Sequence, residues 1–420
     1  MSKFLANLAA PLAHSFRMAA NLVILKLIAI TLGPVGMGVL GNFMSLTTMM
    51  SIFAGGGISS GITKYVAEYK SNPKRLIEFI GSALTFGTYF SIFIFIISII
   101  LSRQISSILF GSAEYYWLIL AVGIFQIICF FGVAVVSVAN GLRRQDVFAI
   151  ITLVGYSLAI PIAWVLISNY KISGAAIALL VVASAAALPA TYFAVKSPIT
   201  KLFKFRLKRA DAKQLARFSF MALASATIFP FAEIFIRTLI VDILGSNNAG
   251  YWQATIRLSG AYIGLFTLFM SISYMPMLSA EIRKEQVSKL IYKHLLGVGG
   301  VFAIFACILY FLKSELIVIL FSPEFLPAAE VLGWYLVGDF FRVTAYVIGF
   351  LGVARAAWRL YVICEVLQVG LLILFTYVGL ILGGNLMYVA YAYTIGYLTY
   401  FFVMLVVFRQ YQKGTYDFFR

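Results

Sequence analysis

Five cations lie inside long apolar runs of this 420-residue chain: Arg17, Lys26, Arg237, Arg257 and Arg342. One such charge at the centre of a membrane helix costs about 2.5 to 3.5 kcal/mol, so it is kept where it meets a partner, a water-filled path or a ligand. Two acids lie as deep. Glu233 precedes Arg237 by four residues and Asp339 precedes Arg342 by three, spacings that set each pair on one helical face where the charges can neutralise one another. Each pair is therefore either an interhelical clamp or a site for a substrate or an ion. Arg17, Lys26 and Arg257 have no acid three or four residues away. At about 100° per residue, His14, Arg17 and Asn21 share one helical face, whereas Lys26 falls nearly opposite Arg17. Either that helix bends, or Lys26 snorkels outward to the headgroups. Asn21 adds polarity beside Arg17 that lipid tolerates poorly, which favours a cavity for Arg17. Arg257, near the end of its run, stays open between cavity and headgroups.

Other chemistries find no constellation. The two histidines, His14 and His294, stand far apart, and there is no G-x-x-x-x-G-K-[ST] phosphate loop, no H-E-x-x-H and no C-x-x-C. Cys129, Cys307 and Cys364 each sit alone in an apolar run, so neither a disulfide framework nor a Cys/His metal set follows. No metal, cofactor or catalytic residue is expected. Transport driven directly by ATP would need a separate subunit.

The elements that must position the charges are membrane helices. The chain is 62% hydrophobic and only 11% charged, against about 25% charged in average soluble domains. A crossing takes about 20 mostly apolar residues, and by that measure twelve spans are expected: 9–30, 38–62, 79–101, 117–138, 147–168, 173–195, 217–243, 251–277, 294–312, 328–350, 360–382 and 386–408. Midway lies a stretch from Lys196 to Arg217 with eight basic residues and one acid, Asp211. Outside the spans, with Arg217 at the edge of its own counted in, 24 lysines and arginines fall on the side of that stretch and three, Arg103, Lys171 and Lys313, on the other. That asymmetry predicts both termini and the central loop in the cytoplasm. It also accounts for the net charge of +17 without nucleic acid, because the cations are dispersed over short loops and form no continuous soluble face. The run Phe4–Ala13 continues into further apolar sequence, so no cleaved signal peptide is expected.

The two halves answer one another. Leu109-Phe110-Gly111-Ser112-Ala113-Glu114 has a counterpart in Leu320-Phe321-Ser322-Pro323-Glu324, and Arg143-Arg144 in Arg355 and Arg359, both offset by about 211 residues. This predicts an N-terminal six-helix lobe over 1–195, a basic linker over 196–216 and a C-terminal lobe with a short tail over 217–420, related by an axis along the membrane normal. Glycines crowd Gly33–Gly41 and Gly55–Gly61, and Pro161, Pro189 and Pro230 are expected to interrupt helices. Such features suit either broken helices that rock between states or close packing through small residues. Tyr115, Tyr116, Trp117, Tyr251 and Trp252, at span ends, read as interfacial belts. Outer loops such as Asn169–Ser173 and Gly245–Ala249 leave no room for a catalytic platform.

At the first spans, Leu25-Lys26 through Gly33-Pro34-Val35-Gly36-Met37-Gly38 to Asn42-Phe43, with Gly61-Ile62-Thr63-Lys64-Tyr65 downstream, the chain resembles the Wzx-type polysaccharide flippases. Gly338-Asp339-Phe340-Phe341-Arg342 with Cys364-Glu365-Val366-Leu367-Gln368 is similar to that family's tenth and eleventh spans. The resemblance implies the multidrug/oligosaccharidyl-lipid/polysaccharide exporter fold, an all-α integral membrane protein with two pseudo-symmetric six-helix lobes around a central cavity. It implies a cargo of an oligosaccharide unit on undecaprenyl diphosphate, an O-antigen unit or lipid III, carried from the cytoplasmic to the periplasmic leaflet of a bacterial inner membrane. It places Arg17, Lys26, Arg237, Asp339 and Arg342 at charged positions of the family pattern, while Arg257 matches none. On that reading Arg17, Asn21, Lys26, Arg237, Arg257 and Arg342 bind substrate, and Glu233 and Asp339 take a coupling proton or sodium ion. Membrane lipids, a polysaccharide polymerase and a chain-length regulator are the expected partners. A guanidinium suits a diphosphate because its planar fork bonds two oxygens at once. The alternatives are a cation-coupled exporter of small amphipathic molecules, which should have an anionic cavity; a membrane polymerase, which should have a large periplasmic loop; and a scaffold, which has no use for buried cations.

Overall fold

In the bilayer every backbone N–H and C=O needs a partner within the protein, so apolar segments of this length fold as helices. The computed structural model describes residues 3–196, 205–281, 283–355 and 357–413. Nine described stretches are long and apolar enough to cross a membrane. Two of them, Pro11–Tyr69 and Gln145–Lys196, run to 59 and 52 residues, more than twice the length one crossing needs. Breaks in the helical backbone divide both. Helix α1 (Lys3–Phe53) breaks at Gly33, whose φ of 62° and ψ of −169° lie where essentially only glycine goes. It then stops at three left-handed glycines, Gly55, Gly56 and Gly57, before α2 (Ser59–Tyr69). Helix α5 (Gln145–Ala183) breaks at Lys171, with φ 51° and ψ −125°, inside the short expected loop 169–173. Pro161 lies within this helix, Pro189 near the start of α6 (Ala187–Lys196) and Pro230 within α7 (Arg209–Leu244), and at each proline the helix continues. The expected interruptions there do not occur: proline removes one N–H, a local loss that neighbouring groups in a helix bundle make good.

The described chain separates into two compact units, Met1–Leu32 with Asn42–Pro230, and Gly33–Gly41 with Phe231–Arg420. In the first, α3 (Pro73–Phe110) starts on an Asn72 cap that accepts from the Arg75 N–H, with Pro73 in the first turn, and ends on left-handed Gly111. Its buried serines, Ser91, Ser98, Ser102 and Ser106, form a strip of small side chains that lets α4 (Tyr116–Gly141) approach closely. Gln126 of α4 donates to the Ser91 carbonyl at 2.6 Å across this contact. The end of the basic central stretch is fastened to α3. Arg75 meets both oxygens of fully buried Asp211, Lys208 reaches Glu78 at 2.6 Å, and Ser82 donates to the Arg206 carbonyl at 3.1 Å. The basic residues from Arg209 to Arg217 belong to α7, and residues 197–204 of the expected linker lie outside the described residues.

The second unit is built on α12 (Leu326–Ala354), which packs against α8 (Ser246–Phe269), α10 (Lys284–Phe311) and α14 (Leu386–Lys413). The short α11 (Lys313–Leu320) packs on α12, and α13 (Trp358–Gly383) on α14. Beyond Phe269, α8 continues through a π-helical turn, Met270–Tyr274, into α9 (Met275–Ala280); such turns widen a helix by one residue and are frequent at functional sites.

Candidate functional site

The sequence pairs Glu233 with Arg237 and Asp339 with Arg342, and the structure surrounds both pairs with polar groups from other helices. Arg237, on α7, has no exposed surface. A buried charge of this kind needs hydrogen bonds, and Gln253 of α8 accepts from its Nε at 3.1 Å and from a terminal nitrogen at 2.6 Å. The guanidinium lies 5.2 Å from the Trp252 ring, and a side chain at Gly41 would collide with it. Glu233 stands 3.9 Å from Arg237 and 3.5 Å from Arg257, so two arginines share one carboxylate. Arg257, the cation the family pattern leaves unplaced, thus joins the first pair. Its Nε is shielded from solvent and donates to no acceptor among the described residues, and its terminal nitrogen facing Glu233 stands at ion-pair distance without a hydrogen bond. A buried donor left that way costs about 1 to 3 kcal/mol.

Asp339 is fully buried in α12. Its Oδ2 accepts from Ser259 at 2.7 Å and Tyr262 at 2.5 Å, both on α8, and its Oδ1 from Tyr393 of α14 at 2.5 Å. Arg342 is 4.0 Å from Oδ1 and donates to Tyr346 at 3.0 Å and Tyr393 at 3.2 Å, with the Tyr397 ring 5.2 Å away. Gln368 of α13 donates to Tyr397 at 3.0 Å. The two charged clusters are joined by an unbroken run of contacts. From Arg237 it passes over Trp252, whose Nε1 donates to Tyr335 at 2.7 Å; Tyr335 stacks on Tyr393 at 4.0 Å, and Tyr393 bonds Asp339. Trp252 is therefore no interfacial anchor, as its place at a span end suggested. It is 3% exposed and holds two buried polar groups in register.

In the first unit, Arg17 and Asn21 are exposed and Lys26 is half-buried. One Arg17 terminal nitrogen lies 3.2 Å from His14 Nδ1, so the face expected to carry both residues does so, and the His14 ring packs on Phe148 at 5.0 Å. Arg237, Arg257 and Glu233 come together, as do Asp339 and Arg342; Arg17, Asn21 and Lys26 form a separate strip on α1. The groups sequence reasoning missed are Gln253, Ser259, Tyr262, Tyr335, Tyr393 and Gln368. Their signal was helical spacing of polar residues within apolar runs, as in Gln253/Arg257 and Ser259/Tyr262, rather than any motif.

The sequence profile described as polysaccharide biosynthesis protein matches residues 8–282. The chain is 30% identical over 399 residues to the lipid III flippase of Escherichia coli (strain K12), covering 94% of this chain and 96% of that protein. Among solved structures, an inward-facing multidrug resistance MATE family transporter of the MOP superfamily aligns with a TM-score of 0.74 at 15% identity, over 95% of this chain and 96% of that one. The lipid II flippase MurJ, in an inward closed conformation, aligns with 0.73 at 16% identity, over 98% and 90%. At such identities the structures establish a common fold. The profile match and the whole-length relative establish more: this chain belongs to the polysaccharide biosynthesis protein family, as a Wzx-type flippase of the multidrug/oligosaccharidyl-lipid/polysaccharide exporter superfamily.

Proposed function

We propose that this protein carries an oligosaccharide linked to undecaprenyl diphosphate from the cytoplasmic to the periplasmic leaflet of a bacterial inner membrane, by alternating access and without catalysing a reaction. The lipid III flippase relative supports lipid III as the cargo; an O-antigen unit on the same carrier is the other member of that class. The physical obstacle to unaided flipping is the desolvation of a multiply charged diphosphate, and cationic donors inside the membrane replace its lost hydration. The observation that carries the reading is Arg257: a buried Nε without an acceptor, on a guanidinium whose one carboxylate, Glu233, is shared with Arg237, leaves room for an anionic oxygen. Arg17 and Asn21, exposed on α1, and Lys26 offer the same chemistry from the first unit. Arg342, 12% exposed at its side chain, and fully buried Arg237 serve as ligands only after their surroundings rearrange.

Glu233 and Asp339 are the sites for a coupling proton or sodium ion. Loading either acid weakens its hold on the neighbouring arginine, so ion occupancy and headgroup affinity change together. Both termini lie in the cytoplasm, and the chain passes from one six-helix lobe to the other through the basic central stretch and α7. A polysaccharide polymerase and a chain-length regulator receive the product. Binding of an undecaprenyl diphosphate saccharide and of its monophosphate analogue to the purified protein in nanodiscs tests the site. The diphosphate binds more tightly, and Arg257→Gln or Arg17→Gln removes about tenfold of its affinity, as loss of a charge-assisted hydrogen bond does. Equal binding of the two lipids by the wild-type protein, or variants that match it, would remove these arginines from the site.

A further inference from the structure

The second unit also holds a cavity of opposite character. About 400 Å³ in volume, it is lined by the π-helical continuation of α8 together with α12, α13 and α14. That is within the range of small-molecule sites, about 300 to 1,000 Å³, which are mostly apolar with a few convergent polar groups. The polar side chains here are Thr267, Ser271, Tyr346, Tyr361, Tyr400 and Glu365, set among aliphatic and aromatic walls. Glu365 is the one charged residue among the lining groups. Among the described residues it enters no salt bridge; its hydrogen-bond partner is the Tyr361 hydroxyl on its own helix, and Arg342 acts on it only through the electrostatic field. A carboxylate kept inside a membrane helix without a cation beside it is costly, and a cationic ligand lifts that cost. Three tyrosines, Tyr346, Tyr361 and Tyr400, line the same cavity, and aromatic rings attract an organic cation stripped of water.

We propose that this cavity is a binding site for a lipophilic organic monocation, with Glu365 as counter-ion and Tyr346, Tyr361 and Tyr400 as the aromatic walls. It is separate from the arginine clusters and of opposite sign to them, so the anionic cargo does not compete for it directly. It is nonetheless in contact with them: Tyr346 lines the cavity and its hydroxyl accepts from Arg342 Nε at 3.0 Å. An occupant pressing on Tyr346 therefore disturbs the hydrogen bonding of Arg342, which makes the cavity a place where a small cation can modulate the transporter.

Equilibrium binding of tetraphenylphosphonium to the full-length protein in nanodiscs, with empty nanodiscs as the blank, tests this directly. The wild-type protein binds saturably. Glu365→Gln keeps the shape and the Tyr361 hydrogen bond but drops the charge, and weakens binding by about tenfold or more. Ser271→Trp fills the cavity while leaving Glu365 in place, and also abolishes binding, whereas Arg257→Gln leaves it unchanged. Thermal unfolding of each variant shows that it is folded. Binding no greater than that of empty nanodiscs, or equal binding by wild type, Glu365→Gln and Ser271→Trp, would overturn the proposal.

Discussion

Replacing Tyr393 with phenylalanine removes one oxygen and leaves the ring that stacks on Tyr335 at 4.0 Å. The effect falls on Asp339. Its Oδ2 keeps Ser259 and Tyr262, but Oδ1 loses the only hydrogen bond it receives among the described residues, leaving Arg342 at 4.0 Å as its nearest cation. Arg342 loses an acceptor at 3.2 Å in the same step and keeps Tyr346. A hydrogen bond to a charged group contributes about 1.5 to 3 kcal/mol, and Asp339 has no exposed surface through which water could replace it. Tyr393→Phe therefore destabilises the protein by about 2 kcal/mol. The assay is equilibrium unfolding of the purified protein in mixed detergent micelles, with Tyr393→Phe and Asp339→Asn measured singly and together. If the hydroxyl acts through the carboxylate, the double variant loses less than the sum of the singles, with a coupling of about 2 kcal/mol. A coupling below about 0.5 kcal/mol, or a Tyr393→Phe variant as stable as wild type, would refute the idea that this tyrosine holds Asp339 in place.

Asp211→Asn strips the charge that Arg75 grips at the start of α7. Arg75 keeps 27% of its side-chain surface exposed, so the loss is held to about 2 kcal/mol, and tryptic cleavage near Lys208 and Arg209 accelerates; an unchanged digestion pattern would show that the ion pair does not fasten this segment. Gly33→Ala introduces a Cβ at a backbone geometry it does not tolerate, where it would meet the Glu324 carboxylate at 2.9 Å. It lowers stability by about 1 to 3 kcal/mol in the same unfolding assay, and a neutral result would mean the break in α1 is not fixed at this residue.

The sequence made the charges and their local pairing legible because both are one-dimensional. Apolar runs of about 20 residues mark the crossings, and separations of three and four place Asp339 beside Arg342 and Glu233 beside Arg237. It could not show what surrounds them. Ser259 and Tyr262 reach Asp339 from about 80 residues away and Tyr393 from 54, and nothing in a single sequence pairs residues across such distances. The same blindness left Arg257 without a partner, although Glu233 on the preceding helix lies 3.5 Å from it. Trp252 was misplaced because a span-end aromatic and a buried one have the same sequence appearance until the neighbouring helix is known. The helix breaks were legible: the glycines near 33 and 55–57 flagged theirs, and the expected loop 169–173 holds the break at Lys171, although a lysine gives no hint of the positive φ it adopts there.

Transfer between leaflets remains the most direct test of the central claim. The full-length protein is reconstituted into liposomes containing a defined undecaprenyl diphosphate oligosaccharide, and the fraction reachable by a membrane-impermeant saccharide-specific probe is followed over time. The account predicts that the protected half becomes accessible at a rate that rises with protein and is lost in Arg17→Gln and Arg257→Gln. Accessibility stalled at half, as in protein-free liposomes, or transfer indifferent to both arginines, would contradict it.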